Sequence, residues 1–313
     1  MTPSERPFRF TVQGSRSRST AEWLDLARRA EDLGYAGLGI ADHFDLQLGP
    51  VAALAAAALV TDHLTLGAMV FCNDFRHPAL LAKEVATLDQ LSDGRVRLAL
   101  GAGWATDDYR WTGIGLDAPG ARIERLAEAV TIVKALLSSD EPVSFTGDHY
   151  RVDGLVGAPS PVQRPIPLVL GGGGRRMLSL AAREADVVAV NVALPGGVID
   201  ASVGPDATAE HTDTKLRWIR EAAGDRFEDL TLQVRVHVAA VTDDRQGMAE
   251  LIGGGLGLDP DAALASPFAL AGDVERIVDT LLERRERWGD SEIGNSASAS
   301  DDLAPEVARH AGT

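Results

Sequence analysis

Cysteine is almost missing from this chain of 313 residues. Cys72 is the only one, so no internal disulfide can form, and a reducing, cytoplasmic setting is the expectation. Lysine is nearly as scarce, with Lys83, Lys134 and Lys215 its whole complement. Arginine therefore supplies most of the 30 basic side chains, and these are outnumbered by 46 acidic ones. A net charge of -16 argues against nucleic-acid binding, which needs a basic footprint. No apolar run reaches membrane-spanning length and MTPSERPFRF is no apolar leader, so no membrane partner is expected. G-x-S-x-G is absent and Cys72 has no evident base, which leaves little support for nucleophilic hydrolysis. An anionic ligand would have to be met by arginine and by backbone N–H groups.

What is present is a repeat of short apolar runs and amphipathic helical patterns. Phe8–Val12, Gly37–Asp42, Leu64–Val70 and Arg95–Gly103 read as strands. They alternate with helices over Thr20–Leu33 (Thr20 as N-cap), Pro50–Val60, Pro78–Leu91 and Arg122–Leu137. The pattern breaks at Pro142–Gly154, which alternates like a hairpin around Gly147. It resumes with strands Pro167–Gly171, Asp186–Asn191 and Leu230–Thr242, and helices Arg175–Glu184, Thr214–Ala223, Gln246–Gly257 and Val274–Trp288. Seven strand–helix units and a tail fit a (β/α)8 TIM barrel with two insertions, Pro142–Pro167 and Leu194–Asp213. The rival, an open doubly wound sheet, lacks its Gly-rich first turn, because VQGSRSRST follows the first strand. No linker divides the chain, so residues 1–313 read as one domain.

Four places carry chemistry. In PLVLGGGGRRMLSL, Gly171, Gly172, Gly173 and Gly174 join a strand to a helix start, with Arg175 and Arg176 next. Free N–H groups, the helix dipole and two guanidinium charges suit a phosphate. The spacing matches neither G-x-G-x-x-G nor a P-loop; a flexible turn is the plainer alternative. In GIADHF, Asp42 and His43 stand at a strand end, where a carboxylate can hold a histidine tautomer for proton transfer. No second close His or Cys completes a metal site there, so no metal is expected. In FCNDFRHP, Asn73, Asp74, Arg76 and His77 share one loop; Arg76 can pair with Asp74 or Asp42, and His77 can serve structure or function equally. In GAGWATDDYRWTGI, Gly101 and Gly103 leave room for a flat ring, with Trp104, Tyr109 and Trp111 as aromatic walls.

These motifs together resemble the bacterial luciferase-like flavin and deazaflavin oxidoreductases. AEDLGYAGLGIADHF, FRHPALLAKEVATLDQLSDGRVRLALGAGW, PVQRPIPLVLGGGGRRMLSLAAREADVV and ATAEHTDTKLRWIREAAGDRF carry the resemblance, which runs from about Phe8 to Trp288. The subgroup most resembled depends on coenzyme F420, an 8-hydroxy-5-deazaflavin. The resemblance implies a tricyclic ring at the top of the barrel and a cofactor phosphate at Gly171–Gly174. It also implies a non-proline cis peptide at Met69–Val70 backing the ring, Asn73 on the cofactor side, His43 near the reactive edge, and a homodimer through the helices after strands two and three.

The expected activity is hydride transfer between reduced deazaflavin and a small organic substrate, with His43 and Asp42 as catalytic residues and Trp104 and Tyr109 lining the substrate. An FMN-dependent luciferase-like monooxygenase is the alternative, and a non-catalytic flavin-binding partner protein is another. Two departures from the family stand out. Its sugar-phosphate dehydrogenases have an acidic residue where Trp104 stands. Strand eight, which should be apolar, falls on the polar GDSEIGNSAS, Gly289–Ser298, and is expected to pair weakly and leave a looser barrel.

Overall fold

The computed structural model describes residues 5–14, 19–194, 196–198, 200–299 and 301–303. In chain order its elements are β1 (Arg9–Gly14), α1 (Thr20–Asp32), β2 (Gly37–Ile40), α2 (Pro50–Ala58), β3 (Thr65–Ala68), β4 (Phe71–Cys72), α3 (Pro78–Leu91), β5 (Leu98–Gly101), α4 (Thr106–Thr112) and α5 (Pro119–Ser138). Then come β6 (Val143–Thr146), β7 (Arg151–Leu155), β8 (Leu168–Gly172), α6 (Arg175–Glu184), β9 (Val187–Val190), α7 (Ala209–Ala223) and β10 (Thr231–Arg235). The last are β11 (Val238–Val241), α8 (Arg245–Leu256), α9 (Pro260–Ala265), β12 (Ala269–Gly272), α10 (Val274–Trp288) and β13 (Asp290–Ser296). The tail helix expected beyond Asp302 lies almost wholly outside the described residues.

The sequence period explains most of these elements. In α1, Trp23, Ala27 and Ala30 recur on one buried face. Its cap is Ser19, whose hydroxyl accepts from the Glu22 N–H, rather than Thr20. Parallel pairing runs in the order β3-β2-β1-β13-β10-β9-β8-β5-β4. β3 and β4 are two halves of one stave, separated by the cis peptide Met69–Val70. The ring closes where Leu66 bridges to Val96: the Leu66 N–H donates to the Arg95 carbonyl at 2.8 Å, and the Arg97 N–H to the Leu66 carbonyl at 2.9 Å. The result is the (β/α)8 barrel implied by counting units, with one continuous apolar core between staves and helices. The hairpin β6–β7 is antiparallel as expected. The run Leu230–Thr242 is not one strand: it leaves the barrel after Arg235, and β11 pairs with β12 instead. No described helix is long and apolar enough to cross a membrane.

Strand eight corrects the sequence reading. β13 is paired on both sides, to β1 and to β10, and its residues from Asp290 to Asn295 are all buried. Ser291 has no partner on β10, because Leu232 pairs with Asp290 and Gln233 with Glu292. This is a bulge, one extra residue in a strand. The polar side chains are tolerated because the barrel supplies partners. Glu292, 1% exposed, accepts from Arg97 Nη1 at 2.6 Å and from Gln233 Nε2 at 2.6 Å. Ile293 fills the apolar core. A strand that looks too polar to be buried is held by ionic and hydrogen bonds across the barrel interior.

Two atoms are exceptions: Asn295 Oδ1 is buried and unpartnered, and so is the Oδ2 of Asp290. Burial pushes its carboxyl up to about 7, opposed by the charge of Arg284. An unfolded aspartate ionises near pH 4, roughly. Between about pH 4 and 7 the folded chain therefore holds a proton that the unfolded chain has lost, and stability falls as pH rises. Asp290→Asn removes this dependence. In denaturant titrations the variant should gain on the wild type from pH 5 to pH 7, by on the order of 1 kcal/mol per pH unit. Parallel stability curves for the two proteins would rule out this assignment.

Candidate active site

The C-terminal ends of the staves open into a cleft of about 440 Å³, a size typical of small-molecule sites. This is the face on which TIM barrels carry their chemistry. His43 follows β2 and lines the cleft. Its Nδ1 lies 2.6 Å from Asp108 Oδ2, and Asp108 Oδ1 accepts from the Phe44 N–H at 3.0 Å. The carboxylate set against His43 is thus Asp108, from the first turn of α4, and not its sequence neighbour Asp42. An ionised carboxylate only accepts, so Nδ1 carries the hydrogen and Nε2 is left to exchange protons. The Trp104 indole stands edge-on to the imidazole, with centroids 5.3 Å apart.

Asp42 has a different task. Arg76 grips it with two bonds, at 2.5 and 3.2 Å, and the Cys72 N–H donates to it at 3.0 Å. The carboxylate joins the end of β2 to β4 and holds the backbone that carries His43. Asp74 is taken by Arg125 and by the Tyr109 hydroxyl. Tyr109 thus lines the cleft with its hydroxyl already engaged. His77 caps α3, accepting from the Ala79 N–H. Burial pushes the Cys72 thiol up to about 12, which leaves it a poor nucleophile.

The four glycines of the run are not equivalent. All four line the cleft. A Cβ on Gly171 would strike the Ala189 carbonyl, and one on Gly173 the backbone of Val192 and Ala193, so these two let β8 approach the end of β9. Gly174 has open space around its Cβ position and starts α6 with no side-chain cap. The uncapped N–H groups at that helix end face a site that suits an anion. Arg175 and Arg176 do not line the cleft; they pair at the surface with Glu221 and Glu124. The cation on this side is Arg122 of α5, bonded to the carbonyls of Gly103 and Asp117.

Met69, Val70, Gly101 and Gly103 all line the cleft. Gly101 leaves space that Val70 uses, and Gly103 has φ 80° with Tyr109 where its Cβ would be. Asn73 is buried outside the cleft lining and donates to the Tyr150 hydroxyl, tying hairpin β6–β7 to the barrel. Trp111 is 52% exposed and lines nothing.

Sequence reasoning missed Asp108, Arg122, Gln13, Gln233, Arg235 and His237, all of which line the cleft. The alternation of Gln233 and Arg235 was a usable signal, since polar residues two apart on a barrel strand share one face; His237 lies just past the strand. Burial, then the charge of Arg235, lowers the His237 pKa to about 4, so the ring is neutral. Asn191 Oδ1 accepts from the Val192 N–H, so His237 Nε2, 3.1 Å away, must be the donor.

The top face of this (β/α)8 barrel thus carries an uncapped helix end and a histidine–carboxylate pair in one cleft. Residues 6–252 match the luciferase-like monooxygenase family, and the chain belongs to it. An F420-dependent glucose-6-phosphate dehydrogenase from Nakamurella multipartita is 29% identical over 305 residues, covering 92% of this chain and 84% of that protein. Two solved structures share the fold. An F420-dependent secondary alcohol dehydrogenase in complex with an F420-acetone adduct has a TM-score of 0.76 at 22% identity, covering 96% of this chain and 98% of the other. The coenzyme F420-dependent tetrahydromethanopterin reductase from Methanopyrus kandleri has a TM-score of 0.79 at 18% identity, covering 97% and 99%.

The His43–Asp108 geometry is testable without a ligand. Asp108→Asn replaces a pure acceptor with a group that can donate, and the fixed tautomer should be lost. Nitrogen-15 NMR of the imidazole should show Nδ1–H in the wild type and mixed tautomers in the variant, with a stability loss of roughly 1.5–3 kcal/mol. An unchanged spectrum would break the link between the two residues.

Proposed function

We propose that the protein is a coenzyme F420-dependent oxidoreductase that moves a hydride between the deazaflavin and a small organic substrate. The observation that carries this reading is the His43–Asp108 pair, placed in the same cleft as the uncapped start of α6. The names borne by relatives across most of the chain support the choice of cofactor.

The cleft residues fit such a group. Met69, Val70, Ile123, Met177 and Val192 give it apolar walls, and the N-terminus of α6 at Gly174 gives a phosphate its donors. The bound deazaflavin would supply two electrons as a hydride, or accept them in the reverse direction. His43 Nε2 then delivers or removes the accompanying proton at the substrate oxygen or nitrogen. Asp108 holds the imidazole in the tautomer this needs and stabilises its positive charge in between. Asp42, through Arg76 and the Cys72 N–H, positions the strand end beneath. Trp104 narrows the cleft beside His43 with an apolar edge. An indole can donate but offers a sugar's hydroxyls no acceptor, which favours a less hydroxylated substrate than a sugar phosphate.

Fluorescence titration should show coenzyme F420 binding far more tightly than FMN. With a substrate turned over by the wild type, His43→Gln should slow the reaction by about 10²–10⁴-fold and leave cofactor affinity unchanged. Equal or tighter FMN binding, with oxygen consumed, would replace this reading by a flavin monooxygenase. Undiminished turnover in His43→Gln would remove the histidine from the mechanism.

A further inference from the structure

The geometry points to a second anion-recognition point in the cleft, at Arg235, where a guanidinium stands ready for a ligand's anionic oxygen. Gln233 and Arg235 line both the cleft and a smaller chamber of about 40 Å³ within the barrel, and Gln13 and Met69 are shared in the same way. Arg235 therefore stands where the floor of the cleft meets the interior of the barrel.

The other charges lining the cleft have partners. Asp42 belongs to Arg76, and His43 to Asp108. Arg122 spends its donors on backbone carbonyls. Glu292, the acid in the adjoining chamber, is occupied by Arg97 and Gln233. Among the described residues no carboxylate pairs with Arg235, and its Nε is buried with no hydrogen-bond partner. Two neutral acceptors on residues that line the same two cavities, Gln13 Oε1 and Gln233 Oε1, are equally unpartnered, and their residues are 8% and 3% exposed. Burial lowers the Arg235 pKa with no opposing charge to restore it.

A half-buried guanidinium with its Nε out of solvent and no counter-charge is costly to fold around. This chain has 46 acidic side chains from which a partner might have come. The unmet demand is satisfied if a ligand brings the negative oxygen. A guanidinium presents a planar fork that matches a carboxylate or a delocalised enolate. The Gly171–Gly174 loop and the start of α6 are contributed by other staves of the barrel, so this is a separate contact from the phosphate position. Two sources share the chemistry: a carboxylate on the substrate, or an acidic edge of the deazaflavin ring. Only the second rests on the proposed function.

Arg235→Met and Arg235→Lys separate the sources in two titrations. The first uses the phosphate-free 8-hydroxy-5-deazaflavin core, followed by its fluorescence. A loss of about tenfold or more in the Met variant, largely recovered with Lys, assigns Arg235 to the ring. The second uses acetate with cofactor-free protein, followed by saturation-transfer NMR. Acetate contact in the wild type and Lys variant but not the Met variant, with deazaflavin affinity unchanged, assigns Arg235 to a substrate carboxylate. Affinities within twofold of wild type in both titrations of the Met variant would overturn the proposal. A wild type that binds no deazaflavin would defeat the proposed function instead, and the acetate titration would still decide Arg235. Arg235→Gln replaces the Met variant if circular dichroism shows that the latter fails to fold.

Discussion

The pairing of Glu292 with Arg97 spans the barrel. In the ring of staves β13 and β5 lie opposite one another, four steps apart in either direction. Arg97, just before β5, reaches 2.6 Å from a carboxylate on β13, while Gln233 of β10 takes the other oxygen and Arg9 of β1 lies 3.9 Å away. An interior built only of aliphatic layers would leave strand eight, as this chain writes it, with buried polar atoms and no partners. One carboxylate, bonded from two sides, instead links the closing strand to the far wall. The interaction is ionic and largely out of solvent, so its strength depends on geometry and on full satisfaction of its oxygens.

From that closure the cleft follows. The stave ends meet above the ionic layer, and the residues that rise from them become its floor. Gln233 and Arg235 ascend one stave from the chamber to the cleft, and His237, just past its end, lines the cleft as well. At the end of β9 the wall is pinned by Lys215, fully buried, which donates to the carbonyls of Asn191 and Asp206 and to the Asp206 carboxylate. Burial lowers the pKa of this lysine and Asp206 opposes that. One of only three lysines in the chain thus fixes a backbone segment that the two packed glycines, Gly171 and Gly173, allow to come close.

The pairing of charges separates structure from chemistry. Arg76 with Asp42, and Arg125 with Asp74, hold stave ends and loops in place. His43 with Asp108 leaves one nitrogen free. Arg235 has no partner among the described residues, and Arg175 and Arg176, the pair most conspicuous in the sequence, turn to acids at the surface. Prominence along the chain and presence in the cleft are different properties. A helix of 3.6 residues per turn sends neighbouring side chains at its start in different directions, so two adjacent arginines need not serve one ligand.

The sequence by itself determined the parts of this protein that depend on local period and punctuation. Alternating apolar runs and amphipathic stretches are enough to count the staves, place α3 at Pro78–Leu91 and α10 at Val274–Trp288, and mark the glycine run as the junction of strand and helix. The position of His43 at a strand end was legible for the same reason. Contacts between residues far apart in the chain were left to the tertiary structure. Asp108 is 65 residues from His43, and Arg97 is 195 from Glu292. In the sequence Asp108 is one of two adjacent acids in GAGWATDDYRWTGI with nothing to set it apart, and Glu292 reads as a polar fault in a strand. The break after Arg235 was hidden too, because Leu230–Thr242 is apolar on both sides of it and only Phe268, in a later segment, accepts the His237 N–H and draws the chain out of the barrel. Periodicity acts over a few residues, whereas partners for buried charge are chosen by the closed barrel as a whole.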